Sequence, residues 1–176
     1  MDKSTVIKKY NLSKKQIDLI DNYISKLTKS NQIHNLVGPS TIDVAWDRHI
    51  NDSLQLSQFI LKKNASIIDL GTGAGLPGVI LHIFGHTNIL LIDSKSKKIN
   101  FIKEFAYDQN LQIKTICTRV EKIKNQKFDY IVCRAFASLT KLLDYSLFFT
   151  KKNTSLLFLK GRSVKKEIHD AKKSFS

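Results

Sequence analysis

One stretch of this 176-residue chain combines an acid, alternating glycines and two flanking apolar runs. Glycine occupies every second position after the acid that opens residues 69–75, and the short apolar run 67–68 precedes it, as in a buried strand. Residues 76–84 are again apolar over a helical length, and Pro77 suits a first helical turn because its missing N–H would be unpaired there. A strand, a glycine loop and a helix N-terminus are typical of a nucleotide-binding turn, in which backbone N–H groups approach the ligand closely.

A second acid follows at the spacing that a nucleoside cofactor would require. Asp93 ends the strand-like run 88–93, eighteen residues after Gly75. An acid at this distance binds a ribose diol in dinucleotide folds and in methyltransferases that use S-adenosylmethionine. The glycines lack the G-x-G-x-x-G spacing of dinucleotide-binding proteins, so the motif favours S-adenosylmethionine. A tight turn without a ligand is the alternative.

Strands and helices alternate from residue 66 onward. The apolar runs predict strands and helices in the order 67–70, 76–84, 89–92, 95–109, 113–117, 128–133, 139–149, 155–159 and 165–173. This alternation predicts an α/β fold, a Rossmann-like parallel sheet with helices on both faces. The cofactor-binding core is expected at 66–161 and a polar C-terminal helix at 162–176, within one domain over 1–176. Ligands of such sheets bind at the carboxyl ends of the strands, so one site is predicted along that edge.

The segment before the sheet is predicted to be helical. Residues 1–12 are expected to form a mobile lead-in, and Ser13 begins a capping box that starts the first helix. A second helix is expected from about Thr41, and an amphipathic segment at 54–61 completes an all-helical cap over 13–61. The break between these helices contains polar residues that either line a groove or belong to a solvated loop: Asn31, His34 and Asn35.

The composition predicts one folded domain with a polyanionic partner. Apolar residues make up 42% of a chain of single-domain length, which is enough for a core. The 29 Lys and Arg residues against 15 Asp and Glu residues give a net charge of +14, which favours nucleic acid as the partner. A general preference for lysine in the composition is the alternative, because the charge is spread along the chain.

The sequence argues against a membrane, secreted or metal-binding protein. It contains no run of about 18 apolar residues, so no membrane contact is expected. Residues 1–10 lack the apolar segment of a signal peptide, which predicts a cytoplasmic location. Cys117 and Cys133 lie in strand-like runs and are predicted to be buried free thiols. Neither has a Cys or His neighbour at metal-ligand spacing, so no metal is expected.

Four stretches make the chain similar to a known family. They are 48–54 (RHINDSL), 69–78 (DLGTGAGLPG), 119–121 (RVE) and 134–139 (RAFASL). On these residues the chain resembles, from its first helix to Gly161, the bacterial 16S ribosomal RNA guanine-N7 methyltransferase G family, also called glucose-inhibited division protein B. The resemblance implies a class I methyltransferase that uses S-adenosylmethionine to methylate N7 of one guanine. Its expected partner is 16S ribosomal RNA or the small ribosomal subunit.

The resemblance also assigns cofactor contacts to residues of this chain. They are the glycine-loop residues and the residues at or after the ends of strands two to four: Gly71, Gly73, Gly75, Leu76, Asp93, Val120, Glu121 and Arg134. Within this set, Gly71 and Leu76 are expected at the amino-acid and ribose side and Asp93 at the ribose. Val120 and Glu121 are expected to frame the adenine.

The expected substrate-side residues are Asn35, Arg48 and His49. The alternatives are a helical ion pair of Arg48 with Asp52, four residues on, and a packing role for His49. Val37 stands where the family usually has Thr after Asn-Leu, so this chain lacks that hydroxyl but keeps Asn35.

The expected chemistry needs positioning rather than proton transfer. Methyl transfer from a sulfonium is an in-line displacement, and guanine N7 offers a lone pair without losing a proton. The catalytic assignment is therefore to Arg134 and Lys160, which would hold guanine O6, a phosphate or the cofactor carboxylate and leave N7 free.

The C-terminal end departs from the family pattern. Members usually continue with two further strands after the helix near Lys165, whereas the sequence ends at Ser176. A sheet of five strands with an uncovered fifth strand is expected, and an exposed edge of this kind favours aggregation. A monomer is the expected state, with a shortened chain or oligomerisation as the explanations left open.

Two other functions fit part of the pattern. One is a methyltransferase with a small-molecule or protein substrate, against which the charge of +14 and residues 134–136 argue. The other is a cofactor-binding RNA chaperone or ribosome-assembly factor that has lost catalysis, which the short C-terminal end keeps open.

Overall fold

The computed structural model, which describes residues 1–62 and 64–175, places a parallel five-stranded sheet at the centre of the chain. The strands are β1 (Ile67–Leu70), β2 (Ile89–Asp93), β3 (Lys114–Cys117), β4 (Tyr130–Arg134) and β5 (Ser155–Leu159). Their spatial order is β3-β2-β1-β4-β5, so the order reverses between β1 and β4. A crevice opens at the carboxyl ends of the strands where the order of such a sheet reverses. The predicted α/β class is confirmed.

Apolar side chains leave the strands alternately toward two layers of helices. Ile67, Leu91 and Val132 face one core, which α4 (Gly78–Phe84) and α5 (Ser96–Asp108) complete. The adjacent positions along the strands face a second core, which α6 (Leu139–Leu147) covers. Helix α7 (Val164–Ser174) packs against α6 rather than on the sheet. Because both faces are covered, the inner strands are apolar at nearly every position, as the sequence suggested.

The expectation of a mobile lead-in over residues 1–12 is wrong, because α1 spans Lys3–Tyr10. The Asp2 side chain caps this helix by accepting a hydrogen bond from the Thr5 N–H at 2.8 Å. Val6 is fully buried against the core, and the Lys3 ammonium contacts the Asp21 carboxylate on the next helix. A helix of eight residues is marginal alone, so this packing holds it in place. The sequence did not predict it because a single buried valine among lysines gives little helical periodicity.

The predicted capping box is present, and α2 (Lys14–His34) begins directly after Ser13. The two helices expected after it are replaced by short turns: 3₁₀ segments Pro39–Thr41 and Gln55–Phe59, a π-helical segment Trp46–Asn51 and α3 (Asp52–Leu54). Ser53 and Ser57 donate hydrogen bonds to backbone carbonyls within this stretch, both at 2.6 Å. Such local side-chain bonds compete with regular helix, which explains the irregular path. Residues 3–59 are called the helical cap below.

Two smaller expectations also need correction. Pro77 lies just before α4, at its N-cap position, instead of in its first turn. Cys117 is exposed, because β3 is an edge strand whose outer residues face solvent, and only Cys133 is the buried thiol that was expected. In the other edge strand, β5, the first residue is exposed and the other four are half-buried. Within residues 1–62 and 64–175, no helix is both long and apolar enough to cross a membrane.

Tyr23 joins the helical cap to the glycine loop. Its ring has no exposed surface and packs edge-on against Phe101 and Phe105, with centroid distances of 6.0 and 5.3 Å. Its hydroxyl donates a hydrogen bond to the Ala74 carbonyl oxygen at 2.9 Å. The loop that follows β1 is therefore held from above by a buried side chain of the cap.

We expect Tyr23→Phe to lower the free energy of unfolding by about 1–3 kcal/mol, because it leaves the buried Ala74 carbonyl without a donor. Urea unfolding followed by circular dichroism measures the change. Tyr107→Phe is the matched control, since Tyr107 is 87% exposed. Equal stability of the two variants would show that the bond to Ala74 does not stabilise the fold.

Candidate active site

A cavity of about 430 Å³ lies at the carboxyl ends of β1, β4 and β5, beneath the helical cap. It is at the point where the strand order reverses, the place where sheets of this kind bind ligands. Its walls come from the cap, the glycine loop, α5 and the ends of β4 and β5: Leu36, Val37, Gly38, Thr41, Arg48, His49, Asp52, Gln55, Gly71, Thr72, Gly73, Ala74, Leu76, Lys98, Arg134, Ala135, Leu159, Lys160 and Gly161.

Glycine is needed in the loop for two different reasons. Gly71 and Gly73 both have left-handed backbone conformations, with φ of 67° and 60°. A Cβ at Gly71 would overlap the Phe136 ring, so this position is closed by packing. A Cβ at Gly73 would meet nothing closer than the Lys98 ammonium at 3.9 Å, so the backbone there stays open to an approaching ligand.

Asp69 is a buried carboxyl group that holds the loop and the start of α4 together. Its Oδ2 accepts hydrogen bonds from the Thr72 hydroxyl at 2.5 Å and from the Gly78 N–H at 2.9 Å. Its Oδ1 is buried and has no partner among the described residues. Burial raises the pKa of Asp69 to about 7, although the two hydrogen bonds to Oδ2 lower the pKa. Asp69 itself is fully buried and is not among the residues that line the cavity.

Asp93 holds the other side of the loop. Its two carboxylate oxygens accept hydrogen bonds from the Gly73 N–H at 3.0 Å and the Lys95 N–H at 2.9 Å. The Lys98 ammonium lies 3.9 Å from the same carboxylate. Asp93 is not among the cavity residues, so its assignment to a ribose stays a prediction.

Arg134 and His49 join the end of β4 to the cap. One terminal nitrogen of the Arg134 guanidinium lies 3.0 Å from both the Arg48 carbonyl oxygen and His49 Nδ1. His49 Nε2 lies 2.8 Å from the Thr41 hydroxyl, on the turn that closes over the cavity. Burial, and then the charge of Arg134, lower the pKa of His49 to about 4, so its ring is neutral near pH 7.

Lys160, the other predicted catalytic residue, lines the cavity, and its ammonium forms an ion pair with Glu167. Its ammonium lies 2.6 Å from the Glu167 carboxylate and donates to the Ala137 carbonyl at 2.8 Å. Glu167 also accepts a hydrogen bond from the Leu139 N–H at 2.9 Å. Lys160 therefore ties α7 and the start of α6 to the cavity, and its contact with a ligand remains a prediction.

The structure brings most of the predicted site residues together at one cavity. Seven of them line it: Gly71, Gly73, Leu76, Arg134, Lys160, Arg48 and His49. Five lie outside its lining: Asn35, Gly75, Asp93, Val120 and Glu121. Asn35 ends α2 in a left-handed conformation, and Val120 is buried in the core beneath α6. Their proposed contacts stay predictions.

Neither alternative for Arg48 and His49 describes the structure fully. No ion pair between Arg48 and Asp52 is present among the described residues, and both side chains line the cavity instead. His49 is buried, as in a packing role, but both of its ring nitrogens have polar partners. The expected break after the first helix begins later than predicted, because α2 runs to His34 and includes Asn31. Asn31 is buried, and its side chain accepts a hydrogen bond from the Val37 N–H at 2.8 Å.

Several cavity residues were missed by the sequence analysis. Thr72 sits within the glycine motif and could have been found from that position alone. Asp52 lies within the stretch 48–54 but was considered only as an ion-pair partner of Arg48. Thr41, Gln55 and Lys98 reach the cavity only through the folding of the cap and α5 over the sheet, and no local pattern marks them. Within the described part of the chain, no group of three His, Cys, Asp or Glu side chains is arranged to hold a metal ion.

Solved structures identify the class of fold. The ribosomal protein L11 methylase from Lactobacillus delbrueckii subsp. bulgaricus superposes with a TM-score of 0.60 at 20% identity, over 70% of this chain and 65% of that one. Pyrococcus horikoshii TYW2, solved in complex with MeSAdo, gives a TM-score of 0.59 at 10% identity, over 72% and 50% of the two chains. At these identities the likeness shows the fold alone, which is that of class I methyltransferases.

Sequence comparisons then identify the family. The family model described as rRNA small subunit methyltransferase G matches residues 16–176. The protein of that name from Orientia tsutsugamushi (strain Ikeda) is 39% identical over 162 residues, 92% of this chain and 81% of the relative. The one from Rickettsia prowazekii (strain Madrid E) is 38% identical over 161 residues, 92% and 82% of the two chains. The chain belongs to the rRNA small subunit methyltransferase G family, which confirms the resemblance drawn from its motifs.

Asp69 predicts a pH dependence of stability. Because its pKa is higher in the folded chain than in the unfolded one, this carboxyl group stabilises the fold at low pH. That contribution is lost as pH rises from about 4 through about 7. Asn cannot ionise, so Asp69→Asn lacks this pH-dependent loss of stability. The free energy of unfolding of Asp69→Asn minus that of wild type should therefore rise by roughly 2–3 kcal/mol between pH 5 and pH 8.

Urea unfolding of both proteins at the two pH values measures this difference. Asp170→Asn, which changes an exposed carboxyl group on α7, is the control and should show no such trend. A stability difference for Asp69→Asn that is the same at pH 5 and pH 8 would contradict the raised pKa.

Proposed function

We propose that this chain transfers a methyl group from S-adenosylmethionine to N7 of a guanine in small-subunit ribosomal RNA. The observation that carries the proposal is the cavity at the strand reversal, where a family-specific segment, 134–139, meets the glycine loop and the cap. Family membership supports the class of substrate, since the relatives are named ribosomal RNA small subunit methyltransferases. The net charge of +14 suits a polyanionic substrate.

The residues present fit a cofactor that carries an amino-acid group. Asp69, two residues before the cavity-lining Gly71, is fully buried and leaves one carboxylate oxygen without a partner among the described residues, which a nearby ammonium group would stabilise. Arg134 uses one terminal nitrogen for Arg48 and His49, and its remaining N–H donors have no partner within the described chain, which leaves them for a carboxylate. Gly73 leaves room for close approach of the ligand to the backbone. When bound, S-adenosylmethionine supplies a methyl group on a positively charged sulfur.

The side chains of the site would align the cofactor with the guanine, and none of them would have to act as a general base. Guanine N7 is unprotonated and has an in-plane lone pair, so no side chain has to accept a proton there. His49 is neutral near pH 7, but its ring already has polar partners at both nitrogens. Residues of the helical cap form one wall of the cavity, which would help to align the reacting groups for the displacement.

The cationic groups at the cavity suit an RNA substrate. Arg48, Lys98 and Lys160 line the walls with Arg134. Lys160 is paired with Glu167, whereas Arg48 has no carboxylate partner within 4 Å among the described residues. Arg48 therefore best fits the predicted substrate-side role, in contact with a phosphate or guanine O6. Binding through phosphates would weaken as the salt concentration rises.

The test is to incubate the protein with labelled S-adenosylmethionine and small ribosomal subunits that lack the modification. We expect label in the small-subunit RNA. Treatment with borohydride and then aniline, which cleaves the RNA chain at N7-methylguanosine, should locate the label at one guanine. Naked small-subunit RNA is assayed in parallel to identify the preferred form of the substrate. Cofactor binding without label in either RNA would favour the ribosome-assembly alternative, and the absence of cofactor binding would overturn both.

Gly73→Asp should abolish cofactor binding, measured by calorimetry. The new side chain would be strained at φ 60° and would put a second carboxylate beside Asp93, which already accepts from the Gly73 N–H. Asn153→Asp adds the same charge at an exposed turn before β5, at the opposite edge of the sheet, and should bind normally. Retained affinity in Gly73→Asp would show that the cofactor binds elsewhere.

A further inference from the structure

His49 is the one side chain described above that contacts both walls of the cavity through polar atoms. Its Nδ1 lies 3.0 Å from the Arg134 guanidinium at the end of β4. Its Nε2 lies 2.8 Å from the Thr41 hydroxyl, on the turn of the cap. The His49 backbone is held as well, because its carbonyl oxygen accepts from the Ser53 hydroxyl at 2.6 Å. The ring therefore has little freedom to turn toward a substrate.

The chemistry of the two partners assigns the tautomer of the ring. A guanidinium can only donate, so at 3.0 Å from the arginine nitrogen we assign His49 Nδ1 as the acceptor, without a proton. The proton of the neutral ring then lies on Nε2, which donates to the Thr41 oxygen. The Thr41 hydroxyl donates onward to the Gly38 carbonyl oxygen at 2.6 Å. All three bonds are satisfied by this one arrangement of protons.

This arrangement excludes two roles for His49. It is not a general base at the cavity, because its only lone pair in the ring plane is directed at Arg134. It is not a free donor to the substrate either, because its N–H is used by Thr41. The ring lies in a π-helical segment, Trp46–Asn51, and such segments are rare and concentrated at functional sites. What remains for His49 is to fix the positions of its two neighbours.

We propose that His49 is a positioning residue for the Arg134 guanidinium, with its neutral Nε2–H ring linking the Gly38–Thr41 turn to the arginine. The proposal deepens the proposed function and rests on it, since it concerns how Arg134 presents its remaining N–H donors to the cofactor or the guanine. Arg134 is held through one nitrogen by two adjacent residues, Arg48 and His49. These two contacts with the cap set the direction of the other Arg134 N–H donors, and the same contacts attach the cap to the end of β4.

Two substitutions at His49 separate the two sides of the ring. In His49→Asn the side-chain oxygen takes the place of Nδ1, so it still accepts from Arg134, while the bond to Thr41 is lost. In His49→Gln the amide nitrogen reaches the position of Nε2, so the bond to Thr41 is kept and the acceptor for Arg134 is lost. Thr41→Val breaks the link to the turn without touching Arg134. His169→Asn, at an exposed position on α7, is the control.

We expect kcat for methylation of small subunits to fall by about tenfold to a hundredfold in His49→Gln, the scale of loss that a misplaced catalytic group causes. His49→Asn, which keeps the acceptor for Arg134, should lose clearly less kcat than His49→Gln, and Thr41→Val, which frees the ring from the turn, should fall between wild type and His49→Gln. Thermal unfolding of each variant is measured alongside. Equal losses in His49→Asn and His49→Gln, or no loss in either, would overturn the proposal.

Nitrogen NMR of the histidine rings gives a readout that needs no activity. The wild-type spectrum at pH 7 should show His49 with an unprotonated Nδ1 and a protonated Nε2, assigned by the signals that disappear in His49→Asn. A protonated Nδ1 would overturn the proposal even if the enzyme is active. If the wild-type chain methylates no RNA while the ring shows the expected tautomer, the proposed function fails and the contact with Arg134 stands. If His49→Gln does not fold, the tautomer still decides the outcome, because a protonated Nδ1 could not accept from Arg134.

Discussion

The buried carboxyl group of Asp69 is the constraint on which the rest of the site depends. One of its oxygens ties the Thr72 hydroxyl to the Gly78 N–H, which fixes the path of the glycine loop from β1 to α4. A buried carboxylate is costly unless its oxygens are paired, and its second oxygen has no partner within the described residues. The raised pKa of Asp69 expresses that cost.

The helical cap turns an open sheet edge into a cavity. Tyr23 holds the loop from above through the Ala74 carbonyl, and the pair of Arg134 and His49 closes the opposite wall. These contacts join parts of the chain that are far apart in sequence, so cavity and cap form together. The irregular 3₁₀ and π-helical turns between α2 and β1 bring Thr41, Arg48 and His49 to the same side. A regular helix there would keep these residues near one face but about 10–12 Å apart along its axis, too far for the bond between Thr41 and His49.

The sequence predicted the features that depend on local residue patterns. The five apolar runs gave the strands to within two residues, and the alternation of glycine after Asp69 gave the loop. Helix α1 was missed because Val6 is the only fully buried residue among its lysines, so its packing partners had to be known first. The bonds of His49 depend on Arg134, 85 residues away, and no spacing rule relates the two. The cofactor contacts of Val120 and Glu121 were assigned from the family resemblance rather than from a local pattern, and they stay predictions.

The two charged groups of the site complement each other in a way that links ligand binding to stability. Burial raises the pKa of Asp69 and lowers that of Arg134, so the environment disfavours the charged form of both groups. Each also retains bonding capacity that the described chain does not use. The carboxylate of the proposed cofactor would pair with the free Arg134 donors, and the energy of that contact would offset part of the cost of burying the guanidinium. Since such a ligand binds only the folded chain, its affinity would also appear as a gain in stability.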